Sequence, residues 1–250
     1  MAFTSGLAAS LSIDAITISG LHAWFANRTV IHPTDLVLPA GKFISVLGVN
    51  GVGKTTMLRT LVGNNPFGKA RVCLRNGIDL LALGGAERAK ACAWIPAPSP
   101  LAFPYSVFEV VLMGRYPHHH GLPSDKDRRL TAATLKDLDL VDLQHRNVNT
   151  LSSGERQLVL LARGINCRSA LLLIDEPTAS LDAGRELQVL RYLRMLTTKH
   201  GRTIIAAIHN LQGAQQFSDV VLTIEQGQVQ VFDPAAKAFV PEVVGRMFGL

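Results

Sequence analysis

The sequence predicts an α/β fold, and three stretches carry that prediction. The first is Gly48-Val49-Asn50-Gly51-Val52-Gly53-Lys54-Thr55-Thr56, a glycine-rich loop with the apolar run Phe43 to Leu47 in front and the helical Thr56 to Leu61 behind. The second is Leu171 to Ile174, apolar throughout and ending on two adjacent carboxylates, Asp175 and Glu176. The third is Thr203 to Ile208, which ends at His209. Apolar runs without alternation mark strands buried on both faces of a parallel sheet, and open sheets of this kind bind ligands at the C-terminal ends of their strands. The first run opens there into the glycine loop, and the other two stop on polar side chains.

The remaining elements follow in chain order. Residues up to about Leu11 are small and polar and read as a loose tail. Ile13 to Leu21 alternates as a strand, Leu36 to Leu38 reads as a second, and Pro39-Ala40-Gly41-Lys42 turns the chain into the strand before the glycine loop. Trp24 and Phe25 lie between those two strands. One of them offers an exposed platform for a base, or both pack on the sheet, and local sequence does not choose. After the first helix come a loop from Gly63 to Gly68, a short strand from Arg71 to Leu74, a turn at Asn76-Gly77 and a short helix from Ala86 to Ala91. Cys92 to Ile95 is a core strand, stopped by Pro96, Pro98 and Pro100. Helical spacing over Val107 to Met113 and Asp125 to Leu138 predicts a mostly helical insertion across 98–167. Ala183 to Leu196 is a further helix, Val220 to Ile224 and Val229 to Phe232 form a hairpin about Gln226-Gly227-Gln228, and a short helix ends near Leu250.

The glycine loop has the P-loop spacing, with Lys and Thr in register. Its glycines let backbone N–H groups turn inward around phosphate oxygens, and the helix N-terminus adds positive potential. Lys54 reaches the β- and γ-phosphates, and Thr55 holds Mg²⁺. Asp175 is placed to hold the same Mg²⁺ through water, and Glu176 to orient or deprotonate a water attacking the γ-phosphate. Without the P-loop, the two carboxylates would read equally well as helix caps after a buried strand. His209, at a third strand end, reaches a γ-phosphate or serves as a structural hydrogen-bonder.

Bulk properties narrow the class. A chain of 250 residues with 48% apolar and 18% charged residues suits one large domain, and a net charge of +6 suits polyanions, whether nucleotides, lipid surfaces or nucleic acid. The basic residues are scattered, which argues against a nucleic-acid stripe. Cys73, Cys92 and Cys167 show no pairing or zinc spacing, and no uninterrupted run of 18 apolar residues occurs. A cytosolic protein that meets a membrane only through a partner is expected. The run His118-His119-His120 reads as a surface or interface loop, because adjacent histidines seldom converge on one ion.

With the P-loop, Leu151-Ser152-Ser153-Gly154-Glu155, the Asp175-Glu176 strand end, Ser180-Leu181-Asp182 and His209 in this order, residues 13 to 250 resemble an ABC transporter ATPase subunit. The resemblance implies a RecA-like P-loop NTPase core with an N-terminal antiparallel β-subdomain and an inserted helical subdomain: 12–97 and 168–250 as core, 98–167 as the helical signature subdomain. It implies ATP and Mg²⁺ as cofactors, with Gly48, Asn50, Gly51, Val52, Gly53, Lys54, Thr55 and Thr56 around the phosphates. Phe25 stacks on adenine, and Lys54, Glu176 and His209 are catalytic. The signature residues Ser152, Ser153, Gly154 and Glu155 face a nucleotide on a second copy, so a homodimer is implied. Asp182 matches the loop that communicates across that dimer.

Leu101 to Val107, the run Glu109 to His118, and Leu38-Pro39-Ala40-Gly41-Lys42 are similar to importers of haem, ferric siderophores and cobalamin. Haem is the preferred cargo. That similarity implies an integral membrane permease at the cytoplasmic face of the cell membrane, a periplasmic or surface binding protein as an indirect partner, and no nucleic acid. Two departures bear on activity. Ala97 stands where the family has a glutamine that contacts Mg²⁺ and the attacking water, and Ala has no polar side chain. Ser153 and Glu155 replace a glycine and the commoner glutamine. The alternative these raise is an ATP-gated dimerisation module with weak hydrolysis.

Overall fold

The structure, a computed structural model, describes residues 15–26, 28–97, 103–119 and 121–249. The tail, the prolines at 98 and 100, Leu101, Ala102 and His120 lie outside the described residues. Strand β1 (Ala15–Phe25) pairs antiparallel with β2 (Arg28–Pro39), Ile16 opposite Leu38 and Phe25 opposite Arg28. Both strands are longer than their sequence pattern predicts. Trp24 and Phe25 therefore sit at the end of β1 rather than in a loop between strands.

β3 (Phe43–Leu47) is buried along its whole length and leads through the glycine loop into α1 (Lys54–Leu61). β4 (Gly68–Cys73) returns to the free edge of β1, giving a three-stranded sheet in the order β2-β1-β4. After α2 (Gly85–Ala91) and β5 (Cys92–Ile95) the chain turns helical. α3 (Val107–Leu112), α4 (Asp125–Asp137) and α5 (Ser153–Asn166) each start on a serine in a capping box, Ser106, Ser124 and Ser152. β6 (Leu171–Asp175), α6 (Ala183–His200), β7 (Thr203–Ala207), α7 (Leu211–Phe217), β8 (Val220–Glu225), β9 (Gln228–Phe232) and α8 (Pro241–Phe248) complete the chain.

The second sheet runs β5-β6-β7-β3-β8-β9, parallel except for β9 at its edge. Its central strands feed two cores at once. Phe43, Leu172, Ile174, Ile204 and Ala206 point into a core shared with α3, α5 and α6, while Ile44, Val46, Leu173 and Ile205 point into one shared with α1 and the antiparallel sheet. Burial on both faces is why these strands read as unbroken apolar runs.

α5 is wedged tightly. A Cβ on Gly114 would lie 2.1 Å from the Arg163 carbonyl oxygen, and one on Gly164 would lie 2.3 Å from Ile95 Cγ1. Beside this crossing the Arg115 guanidinium donates to Asp127 Oδ1 at 2.9 Å and to the Asn166 carbonyl at 3.0 Å, both Arg115 and Asp127 being buried. The Ser124 hydroxyl, together with Arg115, holds the Asp127 carboxyl well below the usual carboxylate range despite its burial. His118 Nε2 meets the Cys167 carbonyl at 2.6 Å, so this histidine is a structural hydrogen-bonder.

Candidate nucleotide site

The glycine loop is built so that only glycine fits at its ends. Gly48 has φ +145° and a Cβ there would lie 2.8 Å from the Ile224 carbonyl oxygen; Gly53 has φ +117° and a Cβ would meet Val30 Cγ1 at 2.8 Å. The backbone is thereby free to turn its N–H groups into the loop and open α1 at Lys54. Lys54 is buried, and its ammonium donates to the carbonyls of Gly48 at 2.8 Å and Val49 at 3.1 Å. Burial lowers its pKa, an effect opposed by the nearby Glu176 and Asp175 carboxylates. A buried cation satisfied only by carbonyl oxygens is ready for an anion.

Thr55 Oγ1 donates to Asp175 Oδ1 at 3.0 Å, so the start of α1 and the end of β6 share one pair of hard oxygen donors. Burial raises the Asp175 pKa above its ordinary value, and Thr55 partly offsets this. These donors fit Mg²⁺, which prefers carboxylate and hydroxyl oxygen and keeps part of its water shell. Among the described residues no cluster of three His, Cys, Asp or Glu side chains forms a metal site of another kind.

Glu176 follows with φ +50°, a left-handed conformation uncommon for a non-glycine residue. Its carboxylate Oε1 lies 2.6 Å from His209 Nε2, across the gap between the ends of β6 and β7. Its main-chain carbonyl accepts a hydrogen bond from the Gln157 side-chain amide, whose Oε1 accepts from Ser180 N at 3.1 Å. Sequence reading missed Gln157. Its signal was its place on the inner face of the helix that opens with Ser152.

Glu176 and His209 line a cavity of about 410 Å³ together with Asn50, Gly51, Gly53, Lys54, Thr55 and Thr56. A larger adjoining hollow of about 870 Å³ is lined by Val52, Thr55 and Thr56 at one side and by Trp24, Phe25, Arg28 and Phe67 at the other. The two hollows share Gly51, Thr55 and Thr56 in their walls. Ser152, Ser153, Gly154 and Glu155 lie outside both, in and just before the first turn of α5. There Ser152 and Ser153 are exposed, and Gly154 is pressed against the Ser180 carbonyl, to which a Cβ would come within 2.8 Å. Ser152 N and Oγ donate to Glu155 Oε2 at 2.9 and 2.8 Å, bonds that lower the Glu155 pKa. Asp182 caps α6, accepting from Arg185 N at 3.0 Å. Ala97 follows β5, half-buried, and lines neither cavity.

Residues 31–179 match the family model described as ABC transporter. The chain belongs to that family. It is 37% identical, over 95% of its length and 91% of the relative's, to the hemin import ATP-binding protein HmuV of Deinococcus radiodurans. It is 29% identical, over 94% and 88%, to the iron(3+)-hydroxamate import ATP-binding protein FhuC of Bacillus subtilis. Among solved structures it is similar to an inward-facing ABC transporter described as of metal-chelate type, with a TM-score of 0.79 and 27% identity over 95% of this chain and 90% of that one. This ABC ATPase thus has the α/β core, the antiparallel β-sheet and the phosphate loop of its family.

Proposed function

We propose that this ABC ATPase binds and hydrolyses ATP to drive import of a metal chelate, haem in preference to a ferric siderophore or cobalamin, through a separate membrane permease. The observation that carries the reading is the Glu176–His209 pair in the same cavity as Lys54 and Thr55. The names of the relatives in D. radiodurans and B. subtilis support the cargo class.

In this reading Lys54 leaves the Gly48 and Val49 carbonyls for the β- and γ-phosphate oxygens, and the amides of Asn50 to Thr56 and the α1 N-terminus hold the rest of the charge. Thr55 and Asp175 hold Mg²⁺, which when bound neutralises charge on the phosphates. Glu176 orients the attacking water and takes its proton, and His209 stabilises the attacking geometry by donating from Nε2 to that carboxylate. Phe25, 69% exposed, stacks on the base.

Ser152, Ser153, Gly154 and Glu155 do not line the chain's own cavity, which supports a two-fold homodimer in which each signature closes the other chain's site. The division into a core of 12–97 and 168–250 and a helical subdomain of 98–167 goes with this reading. No helix among the described residues is long and apolar enough to cross a membrane. The permease would dock at an exposed apolar hollow of about 450 Å³ lined by Tyr105, Met113, Tyr116 and Leu122, holding the chain at the cytoplasmic face. A binding protein outside that membrane would deliver the chelate.

A second reading, an ATP-gated dimerisation module with weak hydrolysis, is favoured by Ala97 and Ser153. The deciding measurement is ATP-driven haem uptake into vesicles holding this chain and its copurified permease. Uptake with ATP turnover supports the importer; nucleotide-dependent dimerisation without turnover supports the module.

A further inference from the structure

Phe67 is an aromatic that the P-loop chemistry does not use, yet it lines the larger hollow together with Phe25 and the phosphate-loop threonines. It is 45% exposed, and its ring centroid lies 6.1 Å from that of Phe25 with the planes at 83°. Perpendicular rings make a corner, not a sandwich. A flat base laid on one ring meets the other at its edge, an arrangement aromatic quadrupoles favour.

The loop that carries Phe67 is held in place. Trp24 N donates to the Phe67 carbonyl at 2.8 Å, which ties the two aromatics through the ends of β1 and the loop before β4. Phe67 N donates to Asn65 Oδ1 at 3.0 Å, Asn65 Nδ2 donates to Thr60 Oγ1 at 2.8 Å, and Thr60 lies on α1. Gly68 packs so closely on Thr60 that a Cβ would fall 2.5 Å from its Oγ1. The Phe67 backbone is therefore anchored to the helix whose N-terminus faces the phosphates. Phe67 and the phosphate-loop residues Gly51, Val52, Thr55 and Thr56 line the same hollow.

We propose that Phe67 is the second aromatic wall of the base site, so that the purine of a bound nucleoside triphosphate sits in the corner between Phe25 and Phe67. The inference rests on the ATP reading of the site, and the test separates the two. Binding of ATP and of inorganic tripolyphosphate, which has the phosphates and no base, is measured by calorimetry for the wild type, Phe67→Ala, Phe67→Leu and Phe67→Tyr, and for Phe67→Ala in a Phe25→Ala background.

The expected result is a roughly two- to tenfold weaker Kd for ATP in Phe67→Ala and Phe67→Leu, retention in Phe67→Tyr, and unchanged tripolyphosphate binding throughout. The loss persists in the Phe25→Ala background if Phe67 touches the base itself. Three results overturn the proposal: unchanged ATP affinity, an equal loss for tripolyphosphate, or a loss that vanishes without Phe25, which would make Phe67 only a prop for that ring. A wild type that binds neither ligand overturns the nucleotide reading itself.

Discussion

Glu176 Oε1 and His209 Nε2 stand 2.6 Å apart at the ends of two neighbouring parallel strands, so the base of the proposed hydrolysis has a fixed orienting partner. Replacing Glu176 by Gln keeps the shape and removes the base. ATP turnover of the assembled transporter is expected to fall by about 10²- to 10⁴-fold, with ATP affinity kept. Turnover equal to wild type would remove Glu176 from the chemistry.

Gln157 holds Glu176 from behind, donating to its carbonyl and accepting from Ser180 N. Gln157→Ala removes both of these part-buried hydrogen bonds, at a cost of about 0.5–1.5 kcal/mol each in urea unfolding. Because only the aim of Glu176 changes, kcat is expected to drop while KM for ATP stays level. A rise in KM with kcat unchanged would contradict a positioning role.

The phosphate loop was legible because it is a contiguous run with its own spacing, and the carboxylate pair became legible once that loop stood upstream of it. Gln157 and Phe67 were not, since each gains meaning only when a distant segment is folded against it: Glu176 and Ser180 for one, Trp24 and Phe25 for the other. The antiparallel pairing of β1 with β2 was read short because its exposed positions include Gly20, Asp35 and His32, which mask the alternation. Short α7 gave too few residues for periodicity.

Ala97→Gln restores a polar side chain after β5. If a glutamine there reaches the site, permease-coupled ATPase activity is expected to rise on the order of tenfold, the worth of one well-placed hydrogen bond. No gain would place coupling on another residue.

The Arg115–Asp127 pair is buried, so Asp127→Asn leaves a guanidinium without its counter-charge and is expected to cost about 3–5 kcal/mol by denaturant unfolding. The Asp127 carboxyl is lowered on folding, from 3.8 to about 2. Its contribution is therefore full above about pH 4 and lost as pH falls toward 2. The stability gap between wild type and Asp127→Asn should narrow over that interval; a gap independent of pH would show that the ion pair is not its source.

The close fit at Gly114 and Gly164 makes α5 a stiff rod between two surfaces. Its 14 residues span about 21 Å, from Ser152 at one tip to the crossing under Gly114 near the other. At that crossing there is no room for even a methyl group between Gly114 and the Arg163 carbonyl, so the Met113 to Tyr116 segment packs directly on the helix. In the proposed importer this helix would connect the Ser152 tip, offered to the nucleotide of the second copy, with the Met113 and Tyr116 face offered to the permease.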